Sequence, residues 1–168
     1  MIPDDTRLTK LAREVGAWLM AREAMLATAE SCTAGWVAKA LTDVAGSGDW
    51  FLGGVVSYAD AAKTALLGVP AELLREEGAV SRPVVEAMAR GLLERTGADF
   101  GVAVSGIAGP TGGSEEKPVG TVWFAWGRRD GGAVSVNARR AQFQGDREAV
   151  RRQAVEYALT GVMAAADA

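Results

Sequence analysis

Apolar residues follow two different spacings along this chain, and the change from one to the other predicts helices that alternate with strands. Over residues 6–22, Leu8, Leu11 and Val15 recur at the spacing of one helical face, which is typical of an amphipathic helix. Residues 25–29 form a short apolar run without that spacing and are predicted as a buried strand. The chain therefore begins with a helix that leads into a strand.

The same criteria divide the rest of the chain. Helices are predicted over 36–41, 60–67, 70–76, 83–96 and 146–164, and strands over 51–57, 99–105, 120–126 and 133–143. Ser81 is expected to cap the helix at 83–96, while Gly68 and Gly97 stand where helices commonly end. The last two strands are joined through an Arg-Arg-Asp-Gly-Gly segment, whose Asp-Gly pair suits a hairpin turn.

This order predicts one α/β domain over residues 1–168, with a mixed β-sheet covered by helices on both faces and a C-terminal β-hairpin and helix. In such sheets, ligands bind at the carboxyl ends of the strands. Ser31, Tyr58 and the loop 106–113 each follow a predicted strand. We therefore expect these three loops to meet.

Composition excludes several kinds of function. The net charge of -3 offers no basic excess for a nucleic-acid backbone, and no apolar run approaches the roughly 20 residues of a membrane span. With no leader-like N-terminus, the protein is expected to be cytoplasmic. The chain has one cysteine and no histidine, which excludes a Ser-His-Asp triad, a Cys-His pair and histidine-based zinc sites. No metal is expected.

Ser31 lies in a small, polar strand-to-helix turn, where a hydroxyl nucleophile and backbone N–H donors can occur together. The first amides of the following helix, at Thr33, Ala34 and Gly35, are the expected oxyanion donors. A simpler interpretation is that Ser31 or Thr33 only caps this helix. Cys32 is a competing nucleophile, although a lone cysteine is more often a small buried apolar residue.

Without histidine, a serine nucleophile needs another base. The candidates near the predicted strand ends are Lys63, Glu30, Asp60 and Tyr58. A desolvated lysine can lose its proton near neutral pH, whereas arginine cannot. Of four lysines, only Lys63 lies just after a strand-end loop, and this favours it over a lysine on a solvated helix face.

The loop 106–113, Gly-Ile-Ala-Gly-Pro-Thr-Gly-Gly, has the glycine density of turns that present backbone N–H groups to an anion. It lacks the Gly-Lys-Ser/Thr ending of a Walker A loop and the spacing of a dinucleotide fingerprint. A small phosphorylated ligand is the better match. The alternative is a flexible surface loop without a ligand.

Six segments together resemble the CinA C-terminal domain family over nearly the whole chain. They are Ala29-Glu30-Ser31-Cys32-Thr33-Ala34-Gly35, 54–63 with Ser57-Tyr58, Gly78-Ala79-Val80-Ser81, 105–113, Lys117-Pro118-Val119-Gly120-Thr121-Val122 and Gly145-Asp146-Arg147. The resemblance implies hydrolysis of nicotinamide mononucleotide to the nicotinate form and ammonia, without a cofactor, and with this small pyridine nucleotide as the partner. It looks like the stand-alone form of the family, without a larger N-terminal domain.

The resemblance also implies roles for individual residues. Ser31 matches the family's nucleophile, Lys63 its base, and Tyr58 lies in the site loop beside them. The positions that match its substrate-binding segment are Ser105, Gly106, Ile107, Ala108, Gly109, Thr111, Gly112, Gly113 and, outside the loop, Arg147.

Two departures from the family pattern concern the site. Asp60 stands where the family commonly has Asn, and its charge would raise the pKa of Lys63. Ser105 replaces a common Thr and keeps the hydroxyl. Asp60 leaves open a non-catalytic nucleotide-binding or competence-linked partner protein.

A homo-oligomer is also possible, because Trp18, Trp36 and Trp50 could line a subunit interface or the core.

Overall fold

The computed structural model describes residues 1–164, and its helices and strands alternate as predicted. The helices are α1 Asp5–Met20, α2 Trp36–Thr42, α3 Asp60–Leu67, α4 Ala71–Glu77, α5 Arg82–Thr96 and α6 Arg147–Ala164. The strands are β1 Leu26–Glu30, β2 Phe51–Val56, β3 Phe100–Gly106, β4 Thr121–Asp130 and β5 Ala133–Gln142.

The strands form one mixed sheet in the order β2-β1-β3-β4-β5. β1 lies between β2 and β3 and is parallel to both, whereas β4 and β5 are antiparallel additions. Helices α1, α2 and α6 bury one apolar cluster against the sheet, and α3, α4 and α5 bury a second cluster. The predicted α/β class, with helices on both faces, is therefore confirmed.

The hairpin differs from the prediction in its turn. β4 extends to Asp130, so the connection predicted over 127–132 shrinks to the pair Gly131-Gly132. Both glycines have positive φ values, 54° and 96°, as a two-residue hairpin turn requires. The segment expected to be a loop is thus mostly paired strand.

The predicted C-caps are confirmed, because Gly68 and Gly97 both end their helices in the left-handed conformation. Ser81 occupies the predicted N-cap position of α5. Its hydroxyl, however, donates to the Gly78 carbonyl and makes no capping bond. Its side chain closes the α4–α5 connection instead.

The three tryptophans belong to the packing of this chain. Trp50 is buried in the core, and Trp18 and Trp36 pack against the core with part of each residue exposed.

In the described part of the chain, no helix is both long enough and apolar enough to cross a bilayer. Residues 1–164 also contain no cluster of three or more histidine, cysteine, aspartate or glutamate side chains suited to a metal.

Candidate functional site

A cleft of about 290 Å³ opens at the carboxyl ends of the three parallel strands. Its walls come from the loops that follow β1, β2 and β3, from the α4–α5 connection and from the start of α6. The lining residues are Ser31, Cys32, Tyr58, Asp60, Lys63, Ala79, Val80, Ser105, Gly106, Ile107, Ala108, Gly109, Thr111, Gly112, Gly113 and Arg147. The cleft brings together the predicted nucleophile, the predicted base and the glycine loop.

Ser31 and Lys63 converge on one backbone oxygen. The Tyr58 carbonyl accepts hydrogen bonds from Ser31 Oγ at 3.4 Å and from Lys63 Nζ at 3.0 Å. The Ser31 N–H extends the pairing of β1 with β3 by donating to the Val104 carbonyl. The sheet therefore fixes the serine backbone, and the Tyr58 carbonyl orients both polar side chains.

Lys63 is a buried lysine, with a side chain only 1% exposed. Burial lowers its pKa, because the ammonium form loses its hydration. Asp60 opposes this effect, since its carboxylate lies 3.6 Å from Lys63 Nζ. The Asp60 side chain is 60% exposed, so water screens part of its charge and the pKa stays lowered overall.

Cys32 is a poor nucleophile in this environment. Burial raises the pKa of its thiol to about 12, and the thiolate is the reactive form of cysteine. Cys32 also belongs to the core cluster that α1, α2 and α6 form against the sheet. Of the two neighbouring candidates, the geometry favours the Ser31 hydroxyl.

The start of α2 is capped by a residue that precedes the turn in sequence. The carboxylate of Glu30, at the end of β1, accepts from the Val37 N–H at 2.8 Å and the Ala38 N–H at 3.0 Å. Glu30 is 1% exposed. The interpretation of Ser31 or Thr33 as the cap of α2 was therefore wrong, because Glu30 already satisfies these amides.

None of the three predicted oxyanion donors lines the Ser31 cleft. The Ala34 N–H donates to the Ser31 carbonyl. Thr33, Ala34 and Gly35 line a second cleft, behind the turn, together with Trp36 and other residues. The structure does not bring Thr33, Ala34 and Gly35 into the lining of the Ser31 cleft, because this part of the turn borders the second cleft.

The glycine loop and Arg147 close the other wall of the cleft. Arg147 donates to the Gly109 carbonyl at 2.7 Å and to the Tyr58 hydroxyl at 3.0 Å, which ties the loop after β3 to the loop after β2. Gly112 and Gly113 have positive φ values, 81° and 89°. Among the described residues, no acceptor bonds their N–H groups, which leaves them available to an anion.

Ala79 and Val80 line the cleft, although sequence reasoning assigned them no role in the site. The Ser105 hydroxyl donates to the Ala79 carbonyl at 2.8 Å and so attaches the α4–α5 connection to β3. Gly78 was the sequence signal that could have indicated this wall of the cleft. It has a φ value of 74° and changes the direction of the chain after α4.

Comparisons with known proteins match nearly the whole chain. A family model described as the CinA C-terminal domain matches residues 8–166. The chain is 56% identical over 155 residues to the nicotinamide-nucleotide amidohydrolase PncC of Escherichia coli strain K12, covering 92% of each. It is 55% identical over 156 residues to the Pseudomonas putida protein of that name, covering 93% of this chain and 95% of that protein. The structure of the competence/damage inducible protein CihA from Agrobacterium tumefaciens matches with a TM-score of 0.90 at 42% identity, covering 98% of this chain and 97% of that one.

Proposed function

Because the chain belongs to the CinA C-terminal domain family, we propose that it hydrolyses the carboxamide of nicotinamide mononucleotide, with Ser31 as nucleophile and Lys63 as base. The products are nicotinate mononucleotide and ammonia, and no cofactor takes part. The names of the Escherichia coli and Pseudomonas putida relatives support the substrate. The convergence of Ser31 and Lys63 on the Tyr58 carbonyl is the observation that carries the chemistry.

The reaction divides into two acyl transfers. Neutral Lys63 takes the hydroxyl proton of Ser31 while the oxygen attacks the carboxamide carbon. The tetrahedral intermediate collapses, the carbon–nitrogen bond breaks, and the Lys63 ammonium returns a proton so that ammonia leaves. Water, deprotonated by the same amine, then hydrolyses the ester and restores Ser31. The lowered pKa of Lys63 suits this exchange, since a base works best with a pKa near the working pH.

The remaining walls of the cleft suit the nucleotide portion of the substrate. The N–H groups of Gly112 and Gly113 offer an anion site for the phosphate. Arg147 lies between this loop and Tyr58, so its guanidinium supplies a positive charge near the phosphate. The phosphate is then bound beside β3, and the carboxamide lies over Ser31.

Ammonia release from nicotinamide mononucleotide by the purified protein tests this function. Ser31→Ala should reduce kcat by about a thousandfold or more, and Lys63→Met should reduce it comparably. Cys32→Ala is the matched control and should keep most of the activity, because that thiol is not the nucleophile. Near-wild-type turnover by Ser31→Ala would contradict the nucleophile assignment.

The substrate assignment needs a separate comparison. Nicotinamide, its riboside and its mononucleotide carry the same carboxamide but differ in the groups that bind the glycine loop. Activity should fall steeply when the phosphate is absent, because remote binding energy contributes to the rate. Equal rates on all three compounds would indicate an amidase with a different natural substrate.

A non-catalytic nucleotide-binding protein is the second candidate, and the Asp60 carboxylate beside Lys63 is the observation that favours it. Calorimetry with nicotinamide mononucleotide, combined with an ammonia assay over hours, separates the two. Tight binding without ammonia release would favour the binding protein. Turnover that disappears in Ser31→Ala would favour the enzyme.

A further inference from the structure

Arg151 is hydrogen-bonded to the Ser31 turn from the side of the second cleft. Its side chain, on α6, donates from Nε to the Cys32 carbonyl at 3.0 Å and from Nη2 to the Thr33 carbonyl at 3.1 Å. We propose that Arg151 is a positioning residue that directs the Thr33 N–H toward the reacting carbonyl oxygen. This role rests on the amidase activity proposed above.

The argument begins with the peptide that joins Cys32 to Thr33. In a trans peptide, the C=O and the N–H point in opposite directions. Because the Cys32 carbonyl points at Arg151, the Thr33 N–H must point away from it. Arg151 lines the second cleft, and the turn separates this cleft from the one that holds Ser31. The Thr33 N–H therefore points toward the Ser31 side.

The side of the turn that faces away from Arg151 is where the reaction needs donors. Cys32 lines the cleft next to Ser31. An oxyanion formed at a carbon attacked by Ser31 would need backbone N–H donors at this place.

Arg151 is also suited electrostatically to this role. Among the described residues it forms no ion pair, whereas Arg152, next in sequence, binds Asp5 at 2.7 Å and Glu148 at 2.9 Å. The Arg151 guanidinium therefore bonds these two carbonyls and not a salt-bridge partner. A cation at a carbonyl polarises the peptide and makes its N–H a stronger donor.

The two arginines provide a matched pair of variants. Arg151→Ala should lower kcat for ammonia release by about 100-fold, because small misalignments of reacting groups cost about that much. The KM for nicotinamide mononucleotide should stay within about threefold, since the effect arises in the transition state. Arg152→Ala removes an arginine from the same helix and cleft and should keep kcat close to that of the wild type.

Chemical rescue separates positioning from general loss of structure. Arg151 lines an open cleft, so guanidinium ions can enter the space that Arg151→Ala leaves. Millimolar guanidinium chloride should raise kcat of Arg151→Ala severalfold, while sodium chloride at the same concentration should not. Guanidinium should not rescue Lys63→Met.

Arg151→Lys covers the case in which the alanine variant does not fold. It keeps the charge but loses the fork that reaches two carbonyls, so its melting temperature should stay near that of the wild type while kcat falls at least about tenfold. The proposal is overturned if Arg151→Lys and Arg151→Ala match Arg152→Ala in kcat. A wild-type protein that releases no ammonia would refute the amidase function itself.

Discussion

Asp60→Asn tests how the charge beside Lys63 sets the working pH. The substitution removes a carboxylate that lies 3.6 Å from Lys63 Nζ and keeps the size of the side chain. Because the Asp60 side chain is 60% exposed, we use the dielectric constant of water. The attraction between the Asp60 carboxylate and the Lys63 ammonium is then about 1.2 kcal/mol. Asp60 raises the pKa of Lys63 against the lowering by burial. At any pH well below the pKa of Lys63 in both proteins, the variant should therefore hold about sevenfold more neutral lysine.

The measurement is kcat/KM for ammonia release as a function of pH. On the acid side, Asp60→Asn should exceed the wild type by about sevenfold, and the two curves should meet on the alkaline side, where Lys63 is neutral in both. Added salt should shrink the difference, since Asp60 is exposed. Asp43→Asn is the control, because Asp43 pairs with Lys39, outside the Ser31 cleft. An acid limb that is unchanged, or lower than that of the wild type, would refute the role of Lys63 as the base.

Three further predictions concern stability. Lys63→Met should raise the free energy of unfolding by about 1–2 kcal/mol near pH 7. Burial lowers the pKa of Lys63 in the folded state below its ordinary value of 10.5. The wild type therefore gains stability as the pH rises from the lowered pKa to the ordinary one. The advantage of the variant in urea titrations should shrink over this range and stay constant above it. Glu30→Ala should lose about 2–4 kcal/mol in the same assay, because two buried α2 amides lose their acceptor; a loss below 0.5 kcal/mol would contradict the capping role. Gly161→Ala should lower the melting temperature, since a Cβ there would lie 2.1 Å from the ring of Trp126, whereas Gly48→Ala meets nothing within 4 Å and should not.

The strands and the loops of the site could be predicted from sequence because their signals are local. The strand predicted over 99–105 is an apolar run, and the glycines that follow it indicate a loop. The structure extends this strand by one residue, to Gly106. Parallel strands place their carboxyl ends at one edge of the sheet. The meeting of the loops after β1, β2 and β3 was expected from the α/β class alone, without any knowledge of the strand order or of distances.

The contacts that hold the Ser31 turn could not be predicted in this way. Arg151 reaches the carbonyl of Cys32 across 119 positions of sequence, and its spacing on α6 is that of any helical arginine. Glu30 looked like a base candidate, because a sequence does not reveal that a strand residue will cap the helix that follows it. The N-cap preference for serine and threonine then favoured the wrong residues.

The buried carboxylate of Glu30 also affects how an anionic substrate can enter. A helix N-terminus ordinarily carries a partial positive charge that attracts phosphate. Here Glu30 occupies that end of α2 and cancels this charge from within the protein. A phosphate brought to the start of α2 would therefore find the Val37 and Ala38 amides already occupied. The fold thus disfavours reversed, unproductive binding before any chemistry begins.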